Sequence, residues 1–317
     1  MKGTNRSFSL LAAFLCGLSL VASASDAKSL KMQKGDAASD HNVTIQVTAH
    51  PHNKKETEAA DKLTADDFTV KENDRPQKVL SAKPAAAAPP IVEVLIQDNL
   101  QSRMNNELEG VKTFIKGLPN GSRVLTGYLT TGTLQVRQDF TADRDRAAAS
   151  LRILTGRAPY NPYVEVIEGL KRFDSQPEGR RIIVLISDGL DLSHGFEDAD
   201  PEQSIDLNLA IREAQRRGVA IFSLFEPEAG LPTSGRLEVT FGQGSLIKLS
   251  NETGGEAFLG PADVVSLAPY WTELQEQLSK QWVITYQSAT SGTGFRRITV
   301  STESGVHLHY PRGYWVK

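Results

Sequence analysis

Two short runs in this chain are apolar at nearly every position and end in aspartate. One is Ile91-Val92-Glu93-Val94-Leu95-Ile96-Gln97-Asp98, and the other is Arg181-Ile182-Ile183-Val184-Leu185-Ile186-Ser187-Asp188-Gly189. A third, Val219-Ala220-Ile221-Phe222-Ser223-Leu224-Phe225, has the run without the aspartate. A strand without polar alternation must be covered on both faces, as in the centre of a parallel sheet. Asp98 and Asp188 then fall just past the carboxyl ends of their strands, where open α/β sheets place ligands. Helical patterns separate the runs. Met104, Leu108, Val111, Ile115 and Leu118 recur at three- and four-residue intervals and stop near Pro119-Asn120-Gly121. Ala147, Leu151 and Leu154 mark a second helix, and Tyr163, Val166, Ile167, Leu170 and Phe173 a third. Leu207, Ala210, Ile211 and Ala214 share a face of a fourth, which Gly218 closes. Leu246 and Leu249 predict a short helix ending at Gly254-Gly255, and residues 264–280 the last helical stretch. Residues 124–129 and 133–138 read as an antiparallel hairpin. The pattern predicts a doubly wound, mainly parallel, Rossmann-type α/β domain over residues 91–280.

The two ends have a different texture. Val43-Thr44-Ile45-Gln46-Val47-Thr48 alternates like a half-buried strand, and residues 50–61 form a charged, turn-rich connection. Residues 63–70, the turn Asn73-Asp74-Arg75-Pro76 and Lys78-Val79-Leu80 predict a small antiparallel element. Residues 83–90 are rich in Ala and Pro and read as a linker that cannot join a sheet. After Gln281, three short strands follow at residues 282–286, 297–300 and 306–309, separated by Gly- and Ser-rich turns. Neither end has enough strands to close a core. The economical solution is one β-sandwich built from residues 43–82 and 281–317, with the α/β domain inserted between them.

Composition narrows the function. The 317 residues suffice for one large domain and a smaller one. A net charge of −3 gives no electrostatic case for nucleic acid or an anionic membrane as partner. Lys2 and Arg6 precede an apolar stretch over residues 8–21, and Ala22-Ser23-Ala24 supplies small residues for cleavage. This is the layout of a signal peptide over residues 1–24, with residues 25–42 as a loose leader. The apolar stretch is short for a membrane span, so the mature chain is expected to be exported, periplasmic or secreted, with no span. The single cysteine, Cys16, lies inside that segment, leaving neither a disulfide framework nor thiol chemistry.

Other candidate chemistry is thin. The loop over residues 188–206 contains Asp191, Glu197, Asp198, Asp200 and Glu202, but lacks the spacing and turn glycine of a calcium loop. It reads as a solvated acidic face. His50 and His52 lie in the charged connection, and His307 and His309 on one side of a strand. With no His or Cys partner at ligand spacing, no zinc site is expected. Ser187 is not in a Gly-x-Ser-x-Gly elbow, and Gly242-Gln243-Gly244 lacks the rest of a phosphate-cradling motif. A hydrolase using Asp98 and Asp188 as an acid/base pair would still want a nucleophile or a leaving-group stabiliser. The chain is therefore not expected to be an enzyme.

Four short stretches carry a family resemblance. They are Leu63-Thr64-Ala65-Asp66-Asp67-Phe68 with Glu72-Asn73, the turn Ile186-Ser187-Asp188-Gly189-Leu190-Asp191, Thr253-Gly254-Gly255, and Arg312-Gly313-Tyr314. In this order they resemble the von Willebrand factor type A (VWFA)-related proteins, a large exported family in acidobacteria. The resemblance runs from Val43 to the end. It implies a VWFA-like domain with a metal-ion-dependent adhesion site, in which Asp-x-Ser-x-Ser, a loop threonine and an Asp-Gly aspartate hold a divalent cation. Here the first motif reads Asp98-Asn99-Leu100-Gln101-Ser102, with Leu100 in place of the middle serine. The threonine loop reads Thr155-Gly156-Arg157-Ala158-Pro159-Tyr160-Asn161, which puts Arg157 at the threonine position. The expected site is thus a degenerate one of Asp98, Ser102, Arg157 and Asp188. No cofactor is expected, and Mg²⁺, Mn²⁺ or Ca²⁺ only if the degenerate site still binds one. Arg157 either stands between the aspartates in the ion's place or points to solvent. The implied function is an exported, non-enzymatic binding module for a protein or polar ligand. The alternatives are a hydrolase using the rim aspartates and an inert envelope component.

Overall fold

The computed structural model describes residues 41–159, 161–195, 199–229, 236–260 and 266–316. The expected signal peptide and most of the leader lie outside these residues, as do Tyr160, Glu197 and Asp198. In chain order the first elements are β1 (His41–Ala49), α1 (Lys54–Ala60), β2 (Phe68–Glu72) and β3 (Arg75–Pro84). Next come β4 (Ile91–Gln97), α2 (Met104–Gly117), β5 (Arg123–Thr130), β6 (Thr133–Thr141), α3 (Arg144–Ala149) and α4 (Pro162–Arg172). Then follow β7 (Arg181–Ser187), α5 (Ile205–Arg217), β8 (Val219–Phe225), α6 (Arg236–Thr253), β9 (Ala257–Phe258) and α7 (Ala268–Ser279). The last strands are β10 (Gln281–Ser288), β11 (Gly294–Thr302), β12 (Leu308–His309) and β13 (Gly313–Val316).

The apolar runs become the centre of a six-stranded sheet in the order β6-β5-β4-β7-β8-β9. It is parallel except for β6, which returns antiparallel on β5. Every residue of β4 and β8 is buried. Val92, Val94 and Ile96 face a core with α2, α3 and α7, while Ile91 and Leu95 face a second core with α4, α5 and α6. Fully burying one such aliphatic side chain contributes about 1.5–3 kcal/mol. The two-sided covering explains why these strands carry no polar alternation. Gly218 ends α5 at φ 61°, the left-handed cap that glycine adopts without a Cβ clash.

Both ends of the described chain enter one seven-stranded sheet, ordered β12-β1-β10-β3-β2-β11-β13. β1 pairs with β10 from His41↔Ser288 to Thr48↔Gln281, and β2 pairs with β11. A single core joins Val43, Ile45 and Val47 from β1 to Ile284, Tyr286, Ile298 and Val300 from β10 and β11. Buried Glu72 is satisfied there by the hydroxyls of Tyr286, Tyr314 and Ser288, at 3.2, 2.9 and 3.0 Å. The buried Arg180 fastens this sheet to the other. Its guanidinium donates to the carbonyls of Ala85, Ala88 and Leu278 and to Gln281 Oε1, and burial lowers its pKa to about 10.

Several local expectations are corrected. Residues 54–60 are helical although none is buried, because Asn53 caps the first turn and Glu56 reaches back to the His52 N–H. Lys83 and Pro84 do join the sheet, opposite Val283 and Trp282 at the end of β3, where proline is tolerated. α3 stops before Leu151 and Leu154, with Ser150 Oγ turned back onto the Ala147 carbonyl. α6 runs 18 residues through both glycines at 242 and 244 instead of forming a short helix. α7 starts at Ala268, and the third C-terminal strand is only Leu308–His309.

Candidate functional site

Three central strands end in acid at the carboxyl rim: β4 in Asp98, β7 in Asp188 and β8 in Glu226. The Asp98 side chain is wholly buried and meets the guanidinium of Arg152 in a two-pronged pair, Nη1–Oδ1 2.7 Å and Nη2–Oδ2 3.2 Å. Thr155 adds its N–H to Oδ1 at 3.0 Å and its hydroxyl to Oδ2. Arg152 is itself fixed. Its Cζ lies 4.1 Å from the centre of the Tyr128 ring, and Nη2 also donates to Gln135 Oε1 at 2.7 Å. Burial opposes ionisation of Asp98, but the hydrogen bonds from Arg152 and Thr155 outweigh it and hold the carboxyl below its ordinary range.

Asp188 is satisfied differently. Gln97 Nε2 donates to Oδ2 at 2.7 Å and the Leu190 N–H to Oδ1 at 2.9 Å. The same Gln97 accepts from Ser187 Oγ at 2.6 Å, which ties the ends of β4 and β7 together. Burial pushes Asp188 up to about 7, and the charge of Glu228 acts in the same direction. At Gly189, φ is +72° and a Cβ would stand 2.4 Å from the Gly242 carbonyl oxygen. A Cβ on Gly242 would stand 2.0 Å from the Asp188 oxygen. Gly242 therefore serves the close approach of α6 to the Asp-Gly turn, while a Cβ on Gly244 would instead stand 3.0 Å from Pro201. Glu226 takes Arg103 as its partner, Nε–Oε1 2.6 Å. Burial raises its pKa and Arg103 opposes the rise.

The structure brings Asp98 and Asp188 to the ends of adjacent parallel strands, but not the other two expected residues. Ser102 is exposed, and its backbone carbonyl accepts from the Asn105 N–H at 3.1 Å. Leu100 is turned into the core instead of the rim, in a stretch pinned to Pro227, Glu228 and Ala229. Arg157 is exposed, and the cation that meets Asp98 comes from Arg152, five positions earlier. The loop hydroxyl at Asp98 belongs to Thr155. Sequence reasoning also missed Gln97, Arg103 and Glu226. One signal was available, since Phe225-Glu226 repeats the strand-then-acid layout of the other two runs. The expected acidic face is partly internal: Asp191 is buried, accepting from Ser193 and from Ser204, the N-cap of α5.

The residues present do not fit the divalent cation that the resemblance implies. Such an ion wants open carboxylate and hydroxyl oxygens converging on one point. Both oxygens of Asp98 already accept from a guanidinium and a threonine, and both oxygens of Asp188 from an amide and a backbone N–H. The beside-lying Asn99 offers a buried Nδ2 donor with no partner among the described residues. Asp98, with two donors on each oxygen, is the more fully committed of the two; Asp188 accepts one hydrogen bond on each oxygen.

An open, mainly parallel sheet with acidic strand ends at its carboxyl rim defines an α/β domain of the kind that places ligands there. Similar solved structures include an aerotolerance-related membrane protein from Bacteroides fragilis, 13% identical over 60% of this chain and 99% of that one, with TM-score 0.43. A von Willebrand factor type A protein from Catenulispora acidiphila is 12% identical over 89% of this chain and 74% of that one, with TM-score 0.45. The vWF domain of the type V pilus tip protein Mfa5 from Porphyromonas gingivalis is 14% identical over 60% of this chain and 97% of that one, with TM-score 0.41. All three are similar to this chain at TM-scores below 0.5. No family model and no curated protein matches the sequence. Among the described residues no helix is long and apolar enough to cross a membrane.

Proposed function

We propose that this chain is an exported, non-enzymatic binding module that captures a protein partner at the carboxyl rim without a bridging cation. The observation that carries the reading is the loop over residues 152–157. Arg152 and Thr155 both bond the buried Asp98, so the loop is anchored from within. Between them Ile153 is 68% exposed, and Arg157 is exposed just beyond. A large aliphatic side chain on an anchored loop can bury its surface in a partner with little ordering cost. An exposed guanidinium beside it offers a two-donor fork to a partner carboxylate. In the family's complete site a metal serves that carboxylate, and here the chain's own arginine would do so. Residues 43–82 and 281–317 would form a β-sandwich platform. Their shared core, with strands from both ends, supports that reading.

The test is photo-crosslinking from a benzophenone amino acid at position 153 in native envelope extract. The expected result is a discrete adduct that persists in EDTA and is lost on Arg157→Glu. A yield no higher than from the exposed Leu80 of the other sheet would count against rim binding. An adduct abolished by EDTA would return the site to a metal-dependent mechanism.

A further inference from the structure

Four histidines from the two ends of the described chain meet in one cluster. The pairing of β1 with β12 places Thr48 opposite His309 and Ala49 opposite Leu308, and the His50 N–H donates to the His307 carbonyl at 2.8 Å. That register lays His50-Pro51-His52 alongside His307-Leu308-His309. The rings of His50 and His309 stack at 4.5 Å between centroids, and those of His52 and His307 also lie 4.5 Å apart. Taken singly, each His-x-His pair has no ligand partner nearby in sequence. The strand pairing supplies one, which overturns the ground for expecting no such cluster.

A carboxylate completes it. Glu256 precedes β9 and is held from both sides: its carbonyl accepts from the Ser223 N–H at 3.0 Å, and its Oε2 from Gln277 Nε2 at 2.6 Å. That Oε2 lies 3.4 Å from His50 Nδ1 and 3.6 Å from His309 Nδ1. The three donor atoms all lie within 4.8 Å of one another. Around a tetrahedral ion with bonds of about 2.0–2.2 Å, neighbouring donors stand roughly 3.3–3.6 Å apart. Both nitrogen–oxygen separations already meet that figure, and only the two imidazoles must turn slightly toward each other. The three side chains are 21–23% exposed, enough for an ion to enter.

We propose that His50, His309 and Glu256 bind a borderline divalent transition-metal ion, with Zn²⁺ the natural occupant, and that the ion clips the two sheets together. Two imidazoles and one carboxylate suit zinc, nickel or copper and discriminate against magnesium and calcium. A fourth position is left to water or to one of the neighbouring imidazoles of His52 and His307. The ion would join β1 and β12 of the terminal sheet to the segment entering β9 of the parallel sheet. Binding would therefore raise the stability of the folded chain by linkage.

The experiment is calorimetric titration of the chelator-treated full chain with ZnCl₂, alongside melting curves and the visible spectrum with Co²⁺. One ion per chain, a zinc-dependent rise in melting temperature and an intense tetrahedral cobalt band are expected. His50→Ala should weaken binding at least about tenfold, the scale on which metal sites respond to disturbed ligation. Glu256→Gln, which keeps the side chain's shape, should do the same and covers the case in which the histidine variant folds poorly. Ser102→Ala at the rim should leave the titration unchanged. Absence of a zinc-dependent rise, or zinc affinity unaltered in both His50→Ala and Glu256→Gln, would overturn the assignment.

Discussion

Replacing Arg152 with alanine leaves a fully buried Asp98 without its cation. Removing one partner of a buried ion pair costs about 3–5 kcal/mol. Two features place Arg152→Ala toward the lower end of that range. The Arg152 side chain is 20% exposed, so solvent already screens part of the pair, and the Thr155 N–H and hydroxyl still serve the carboxylate. Loss of the guanidinium from the Tyr128 face adds about 0.5–1 kcal/mol. The expected loss is about 3.5–4 kcal/mol in urea unfolding at neutral pH. Adding Asp98→Asn removes the stranded charge, so the double variant should be more stable than the single one. The pH dependence has a definite sign. Asp98 has a folded pKa below its unfolded one, so its stabilisation is present above the ordinary aspartate pKa and lost as pH falls through the lower folded value. The gap between wild type and Arg152→Ala should therefore narrow in acid. A loss under about 1 kcal/mol, or a gap unchanged by acid, would refute the claim that this pair holds the rim together.

Gly242→Ala drives a Cβ into the Asp188 carbonyl oxygen, and overpacking on this scale should cost about 3 kcal/mol, read in the same assay. Little change would mean that α6 is not locked against the Asp-Gly turn. Glu93 is wholly buried in β4, neither of its carboxyl oxygens has a partner among the described residues, and burial raises its pKa well above the usual range. Its contribution is thus full below the unfolded pKa and is lost as pH rises toward the folded value. Glu93→Gln should match wild type near pH 4 and be the more stable of the two near pH 8, and melting curves at both values decide it.

What could be read in advance follows from the range of the interactions. β4, β7 and β8 announce themselves because burial on both faces removes polar alternation from every position. Gly218 and Gly189 likewise declare their turns through backbone conformations that other residues avoid. α1 stays hidden because it has no fully buried residue, its cap is local, and only the small Ala59 and Ala60 rest against the core. The glycines of α6 look like breaks, yet Gly242 is where the helix must come close to the end of β7. The rim is the clearest case. Asp98 and Asp188 are fixed by strand register, so their place was legible, but the partner of Asp98 is chosen by how a loop 54 positions away folds over Tyr128. Counting along a motif selected Arg157, whereas stacking on a buried ring selects Arg152. The histidine cluster depends in the same way on a two-residue pairing between opposite ends of the described chain.

The claim that internal partners have replaced the adhesion-site cation is most directly tested with hard cations, which the histidine cluster does not favour. Chelator-treated full chain is melted with and without millimolar Mg²⁺ or Ca²⁺. With Asp98 committed to Arg152 and Thr155, and Asp188 to Gln97 and Leu190, the melting temperature should not move. A clear rise in the unmutated protein that disappears on Asp98→Asn would contradict the account.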